Sequence, residues 1–239
     1  MKIDILGIGV HPDDIELSCS GTLLKHIALG KTVGICDLTQ GELGTRGDAK
    51  TRLIEAKTAA DKMGASFRIN LGMEDGFFQN DKKNILQLIQ IIRWSKPEIV
   101  LANALVDRHP DHGRAAMLVA EACFLSGLVK IETEYLEIKN QLPWRPKHVF
   151  HYNQDRNISA DFVVDISPFI EQKLELIACF SSQFFNPKSS EPETPISTKG
   201  FIDHIKAKNM WYARDINVEY AEAFCVEKNI GIKNLFDLE

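Results

Sequence analysis

The chain has 239 residues, 44% hydrophobic and 26% charged, with a formal net charge of −5. This composition suits a globular protein with a substantial core, and the absence of clustered Lys and Arg argues against nucleic acid as the main partner. There is no apolar run of membrane-spanning length and no signal-peptide pattern, and the five cysteines (Cys19, Cys36, Cys123, Cys179, Cys225) are scattered without CxxC, so a cytoplasmic protein with reduced thiols and no membrane partner is expected.

Residues 3–10 form a short β-branched run that predicts a central parallel strand. Residues 15–29 show helical spacing through Leu17, Leu23, Leu24 and Ile27, and Gly30 closes that helix. Strands are then predicted over 32–38, 67–71 and 98–102, and helices over 51–63, 84–94 and 111–124. Further on, 148–152, 162–164 and 223–226 read as strands, and 167–180 and 201–214 as helices. Residues 186–200 are polar and proline-rich, which fits a surface loop acting as lid or spacer. Strand and helix alternating at this spacing imply an α/β protein: a Rossmann-like three-layer fold around a mostly parallel sheet, with residues 1–239 as one domain.

A short phrase occurs twice. His11-Pro12-Asp13-Asp14 and His109-Pro110-Asp111-His112 stand at strand-to-helix junctions of a chain with only seven histidines. Ligands of open α/β sheets bind beyond the carboxyl ends of the strands, so the topology brings both phrases to one rim. Asp13 and Asp14 lie at the positive end of a helix, which favours ionised carboxylates; adjacent acids point in different directions, so one can bind metal while the other faces water. His109 and His112 are three apart, so one can ligate while the other reaches substrate, and Asp111 can fix a histidine tautomer. Two histidines and an aspartate with open positions suit catalytic zinc, one per chain, although Fe(II) accepts the same donors. Glu16 reads as support for its helix or as a carboxylate standing behind the ligands.

His11-Pro12-Asp13-Asp14-Ile15-Glu16 with Ser20-Gly21-Thr22, the segment Gly41-Glu42-Leu43-Gly44-Thr45-Arg46-Gly47 with Arg52 and Glu55-Ala56, and His109-Pro110-Asp111-His112 together resemble the signatures of PIG-L/LmbE-like N-acetylglucosaminyl deacetylases. Tyr220-Ala221-Glu222-Ala223-Phe224 extends the likeness toward the C-terminus. The wording of residues 44–47 and 107–112 is most similar to the family's bacillithiol-pathway branch. The resemblance implies His11, Asp14 and His112 as zinc ligands and Asp13 as general base. It makes His109 the group that steadies the tetrahedral intermediate or protonates the leaving amine, with Asp111 orienting it. Arg52, and less directly Arg46 and Arg108, become substrate contacts.

The implied reaction is hydrolysis of the N-acetyl group of a GlcNAc conjugate, N-acetyl-α-D-glucosaminyl L-malate first and a chitooligosaccharide as the alternative. The implied assembly is a homo-oligomer, up to a hexamer. Two departures stand out. Ser20 replaces the first residue of a glycine pair, and Asp107 occupies the place where some relatives have a tyrosine that could donate to an oxyanion; Tyr152, Tyr212 and Tyr220 are elsewhere in the chain. A non-hydrolytic nucleotide-binding module is the rival from another class. Gly7-Ile8-Gly9 offers G-x-G, but the third glycine is missing and His11-Pro12 stands where a phosphate would approach.

Overall fold

The computed structural model describes residues 1–238. Seven strands form one sheet: β1 (Ile5–Gly9), β2 (Val33–Thr39), β3 (Phe67–Met73), β4 (Ile99–Ala102), β5 (His148–Tyr152), β6 (Phe162–Asp165) and β7 (Ala221–Val226). Their order is β3-β2-β1-β4-β5-β7-β6, with the first five parallel and β7 antiparallel to both neighbours. β1 and β2 are buried along their whole length, as strands covered on both faces must be.

The helices are α1 (Asp14–Ser18), α2 (Ser20–Ala28), α3 (Ala49–Met63), α4 (Lys82–Ser95), α5 (Pro110–Leu125), α6 (Ile170–Ile177) and α7 (Phe201–Ala213). Alternation along β1 separates the two cores. Leu6 and Ile8 face Leu88, Ile92, Leu118 and Val119 of α4 and α5. Ile5 faces the opposite side with Ile15, Leu23, Met63 and Leu176 of α1, α2, α3 and α6. The three-layer α/β expectation is met. Among the described residues, no helix is long and apolar enough to cross a membrane.

The chain winds from β1 through β2 to β3, then crosses back to β4 on the other side of β1. The strand order therefore reverses between β1 and β4, and a crevice opens beyond their carboxyl ends. The first phrase follows β1 by one residue. The second follows β4 after a six-residue connection, with His109 as the N-cap of α5 and Pro110 in its first turn.

The single helix expected over 15–29 is two helices, broken at Cys19 with φ −137° and ψ 12°. Lys173 and Glu222, both fully buried, hold the break open. The Lys173 ammonium donates to the carbonyls of Glu16 and Leu17 at the end of α1, at 3.2 and 2.9 Å. The Glu222 carboxylate accepts the N–H groups of Gly21 and Thr22 at the start of α2, at 3.0 and 2.7 Å, and pairs with Lys173 at 2.7 Å. Charges of the right sign thus serve the orphaned carbonyls of one helix and the orphaned N–H groups of the next. Helical periodicity cannot reveal this, because both charges come from remote segments. Gly21 packs against Ile166, whose Cδ1 would lie 2.8 Å from an added Cβ, so this half of the glycine pair is sterically required. Ser20 is tolerated because its hydroxyl donates back to the Glu16 carbonyl at 2.7 Å.

Glu16 is buried away from the crevice and pairs with Arg68, which also grips Asp37 through two hydrogen bonds. It holds α1 to the sheet, as its reading as helix support requires.

Candidate active site

His11, Asp13, Asp14, Arg46, Arg52, Arg108, His109 and His112 all line one cavity of about 280 Å³ at the switch point. This is close to the lower end for small-molecule pockets. The chain makes a tight turn after β1, in which the N–H groups of Asp13 and Asp14 both approach the His11 carbonyl. That turn sends the two carboxylates apart.

Asp14 Oδ2 accepts the N–H groups of Val10 and His11 and the side-chain amide of Asn103. Asp14 Oδ1 takes the Gln154 amide at 2.6 Å and faces His11 Nδ1 at 3.8 Å and His112 Nε2 at 3.5 Å. The far nitrogen of each ring meets another carboxylate: His11 Nε2 is 3.1 Å from Asp75, and His112 Nδ1 is 2.6 Å from Asp107. A carboxylate behind a ring fixes the proton on that side and leaves the opposite nitrogen as a lone-pair donor. Once a cation displaces their protons, His11 Nδ1 and His112 Nε2 present their lone pairs beside Asp14 Oδ1.

The electrostatics favour positive charge at this point. Burial lowers the affinity of both rings for protons, but the surrounding carboxylates outweigh it and push His11 up to about 10 and His112 up to about 9. Burial opposes the charge on Asp14, yet the facing imidazoles hold its carboxyl well below the ordinary range. The residues fit a divalent cation: the candidate ligand atoms of His11, Asp14 and His112 all lie within 4.8 Å of one another. His11, His109 and Asp111 also bring candidate ligand atoms within 4.8 Å of one another. This set is the poorer host, because the Asp111 carboxylate already takes the Gly76 N–H and the Arg114 guanidinium, whose charge opposes a second cation.

Asp13 is a different group. Burial raises its pKa, while the Arg52 guanidinium at 3.2 Å restrains the rise. Neighbouring acids pushed in opposite directions are the usual mark of divided acid–base roles. Arg52 donates its other terminal nitrogen to the Gly41 carbonyl at 3.1 Å, and an added Cβ at Gly41, where φ is +65°, would lie 1.9 Å from that nitrogen. The arginine read from the sequence as a substrate contact is thus turned onto the candidate base, with Gly41 leaving it room.

His109 Nδ1 accepts the Asp111 N–H at 3.3 Å, which leaves the ring proton on Nε2. Burial and the two neighbouring imidazoles lower its pKa, so the ring is a neutral donor. Asp111 meets His109 through its main-chain N–H and not through its carboxylate, which is the group the sequence offers for orienting a histidine. Arg108 lies at the exposed rim and pairs with Asp155 at 2.7 Å. Among the described residues no tyrosine lines the cavity: Tyr152 donates to the Ile8 carbonyl and Tyr212 to that of Ile158.

Asp75, Asn103 and Gln154 belong to none of the sequence phrases, and Asp107 stands out there only as a departure. A signal existed: Asn103 follows β4 directly, and Asp75 and Gln154 stand two residues past β3 and β5. Polar residues just beyond parallel strands belong to the ligand edge. Asp107→Asn is expected to weaken metal binding about 10- to 100-fold, because an amide no longer fixes the proton on His112 Nδ1. Competition with a chromophoric chelator measures this. Unchanged affinity would remove Asp107 from the site's support.

Lys208 also borders the cavity, donating to the Gln154 carbonyl, and burial lowers its pKa to about 8 from an ordinary 10.5. The unfolded chain therefore binds more protons than the folded one between those values, and this residue's contribution makes stability rise with pH across that window. The rise should be on the order of 3 kcal/mol at most and absent from Lys208→Met. Urea denaturation of both proteins at pH 7.5 and pH 10 compares the slopes.

The α/β sheet thus carries at its switch point a His-Asp-His set that could hold a metal ion, beside a second, electrostatically distinct carboxylate. Comparison with known proteins identifies the class. The family described as GlcNAc-PI de-N-acetylase (PIG-L) matches residues 6–123. The diacetylchitobiose deacetylase of Thermococcus kodakarensis is 30% identical over 191 residues, spanning 75% of this chain and 70% of that protein. A conserved protein of Thermus thermophilus superposes with a TM-score of 0.85 at 33% identity, covering 98% of each chain. The N,N'-diacetylchitobiose deacetylase of Pyrococcus horikoshii shares the fold with a TM-score of 0.79 at 23% identity, covering 100% of this chain and 88% of its own. The chain belongs to the PIG-L family of de-N-acetylases, hydrolases that cleave amide bonds.

Proposed function

We propose that the protein removes the N-acetyl group from an N-acetylglucosamine conjugate, with N-acetyl-α-D-glucosaminyl L-malate as the preferred substrate. The observation that carries the reading is the divergence of Asp13 and Asp14 beside two histidines in one cavity. His11, Asp14 and His112 would hold one zinc ion per chain, with ferrous iron as the alternative the same donors accept. A divalent ion there supplies Lewis acidity, polarising a carbonyl and making water a stronger acid.

The chain's own groups do the rest. Asp13, its pKa raised by burial, takes a proton from the attacking water. His109 donates its Nε2 proton in a hydrogen bond to the acetamide oxygen as negative charge grows there, the part a tyrosine could play in some relatives. Because His109 Nδ1 is occupied by the Asp111 N–H, Asp13 is the better placed of the two to return a proton to the departing nitrogen. Arg52 keeps the Asp13 carboxyl oriented and restrains its rise in pKa. Arg46 and Arg108 contact the conjugate beyond the sugar. The products are acetate and a free glucosamine derivative.

Malate is preferred on the wording of residues 44–47 and 107–112. The likeness to a diacetylchitobiose deacetylase favours a chitooligosaccharide as second reading. Residues 1–239 act as one domain in a cytoplasmic homo-oligomer in this reading, and the exposed apolar Met117 and Phe124 on α5 offer surface for assembly. Acetate release from the malate glycoside, N,N'-diacetylchitobiose and free GlcNAc tests the proposal. The highest kcat/KM is expected for the malate glycoside. A higher value for diacetylchitobiose selects the second reading, and no acetate from any of the three overturns both.

A further inference from the structure

Arg46 is only 4% exposed, yet its guanidinium donates no hydrogen bond to any described residue. Its Nε and Nη2 are both buried without an acceptor. The other arginines that line the cavity are committed: Arg52 to Asp13 and the Gly41 carbonyl, and Arg108 to Asp155. Burying a guanidinium whose N–H groups lack acceptors is costly, so a chain that does so in the wall of a cavity has left a place for an acceptor it does not itself carry.

A carboxylate waits nearby. Glu191 belongs to the polar segment 186–200, whose Thr194, Pro195 and Ile196 line the same cavity. Its Oε1 accepts the Gly47 N–H at 2.8 Å, and its Oε2 stands 3.8 Å from Arg46 Nε, within ion-pair range but too far for a hydrogen bond. The chain leading into this strap is held, since Glu55 accepts from Ser181 and Ser182, and Gln183 donates to the Arg46 carbonyl. Ile196 packs with Phe184 and Phe201 at its far end. Glu191 itself keeps a side chain 41% exposed, free to exchange its weak contact for water.

We propose that Arg46 is an anion-recognition point in the cavity wall, and that Glu191 on the strap holds the place until a carboxylate or phosphate on the substrate's aglycone takes it. The anion point rests on Arg46 and Glu191; its use on a GlcNAc conjugate rests on the function proposed above. The quantity to measure is the ratio of kcat/KM for an anionic glycoside to that for the neutral methyl glycoside of GlcNAc. The anionic pair is the malate glycoside and GlcNAc-1-phosphate, whose ranking tells carboxylate from phosphate.

Arg46→Gln is expected to lower the ratio about 10- to 100-fold, the worth of a hydrogen bond between charged groups. Glu191→Gln is expected to raise it about two- to five-fold, the scale of a weak ion pair, because the competing charge goes while the amide oxygen still accepts from Gly47. An unchanged ratio in Arg46→Gln, or a lowered one in Glu191→Gln, overturns the proposal. Should Arg46→Gln fail to fold, Glu191→Gln decides alone. Calorimetry with L-malate and inorganic phosphate separates this inference from the deacetylase reading. If the wild type releases no acetate from any glycoside, that reading fails, yet the anion point still requires tighter binding in Glu191→Gln and weaker binding in Arg46→Gln. Equal binding in all three proteins overturns it.

Discussion

Asp13→Asn is expected to lower turnover about 1,000-fold while the protein still binds its metal. The substitution keeps shape and volume, and the amide oxygen can still accept from Arg52 Nη2, so the turn after β1 has no reason to move. What it loses is the ability to take and return a proton. Burial raises the pKa of this carboxyl against the pull of Arg52, which favours its taking a proton. The neighbouring His112→Ala should behave in the opposite way. It removes one of three candidate ligand atoms and leaves Asp14 and Asp107 facing each other without the ring between them, so metal is lost and activity with it. Metal content by elemental analysis, alongside acetate release, distinguishes the two. If Asp13→Asn retained full turnover, the division of labour between the paired acids would be wrong.

Glu222→Ala is expected to cost about 3–5 kcal/mol of folding stability, the largest effect foreseen outside the catalytic groups. The side chain is fully buried and 2.7 Å from the equally buried Lys173. Its removal strands that ammonium in the core and orphans the first N–H groups of α2. Replacing both partners, as in Lys173→Met with Glu222→Leu, should restore part of the loss, because no unpaired charge remains; the uncapped helix ends account for the rest. By contrast, Lys57→Ala breaks an exposed pair with Asp61 and should leave stability unchanged within error. Denaturant midpoints at constant slope report all three. A Glu222→Ala protein as stable as the Lys57 variant would refute the clamp.

Much of the fold was legible because it depends on local regularities. A β-branched run marks the first strand and helical spacing marks the helix segment that follows, and the alternation of strand with helix places both His-Pro-Asp phrases on one rim. The break at Cys19 was not legible, since residues 15–29 keep apolar helical spacing and the charges that divide them lie some 150 and 200 residues away. The site shows the same limit. The repeated phrase named the candidate ligands and base, but it could not show that Arg52 turns back onto Asp13 or that Asp111 reaches His109 only through its main chain. Asp75 and Asp107 become meaningful only once the segments that follow β3 and β4 meet the rings of His11 and His112. Arg46 differs again: the sequence ranked it behind Arg52, and burial without a hydrogen-bond acceptor is what sets it apart.

If the two distant phrases form one metal site that drives deacetylation, turnover must follow metal occupancy. The most direct measurement is acetate release from a GlcNAc conjugate while zinc is titrated into chelator-treated protein. Activity should be absent at first, rise linearly and level off at one equivalent of metal per chain. Acetate release that survives chelation, or that levels off only at two equivalents, would contradict it.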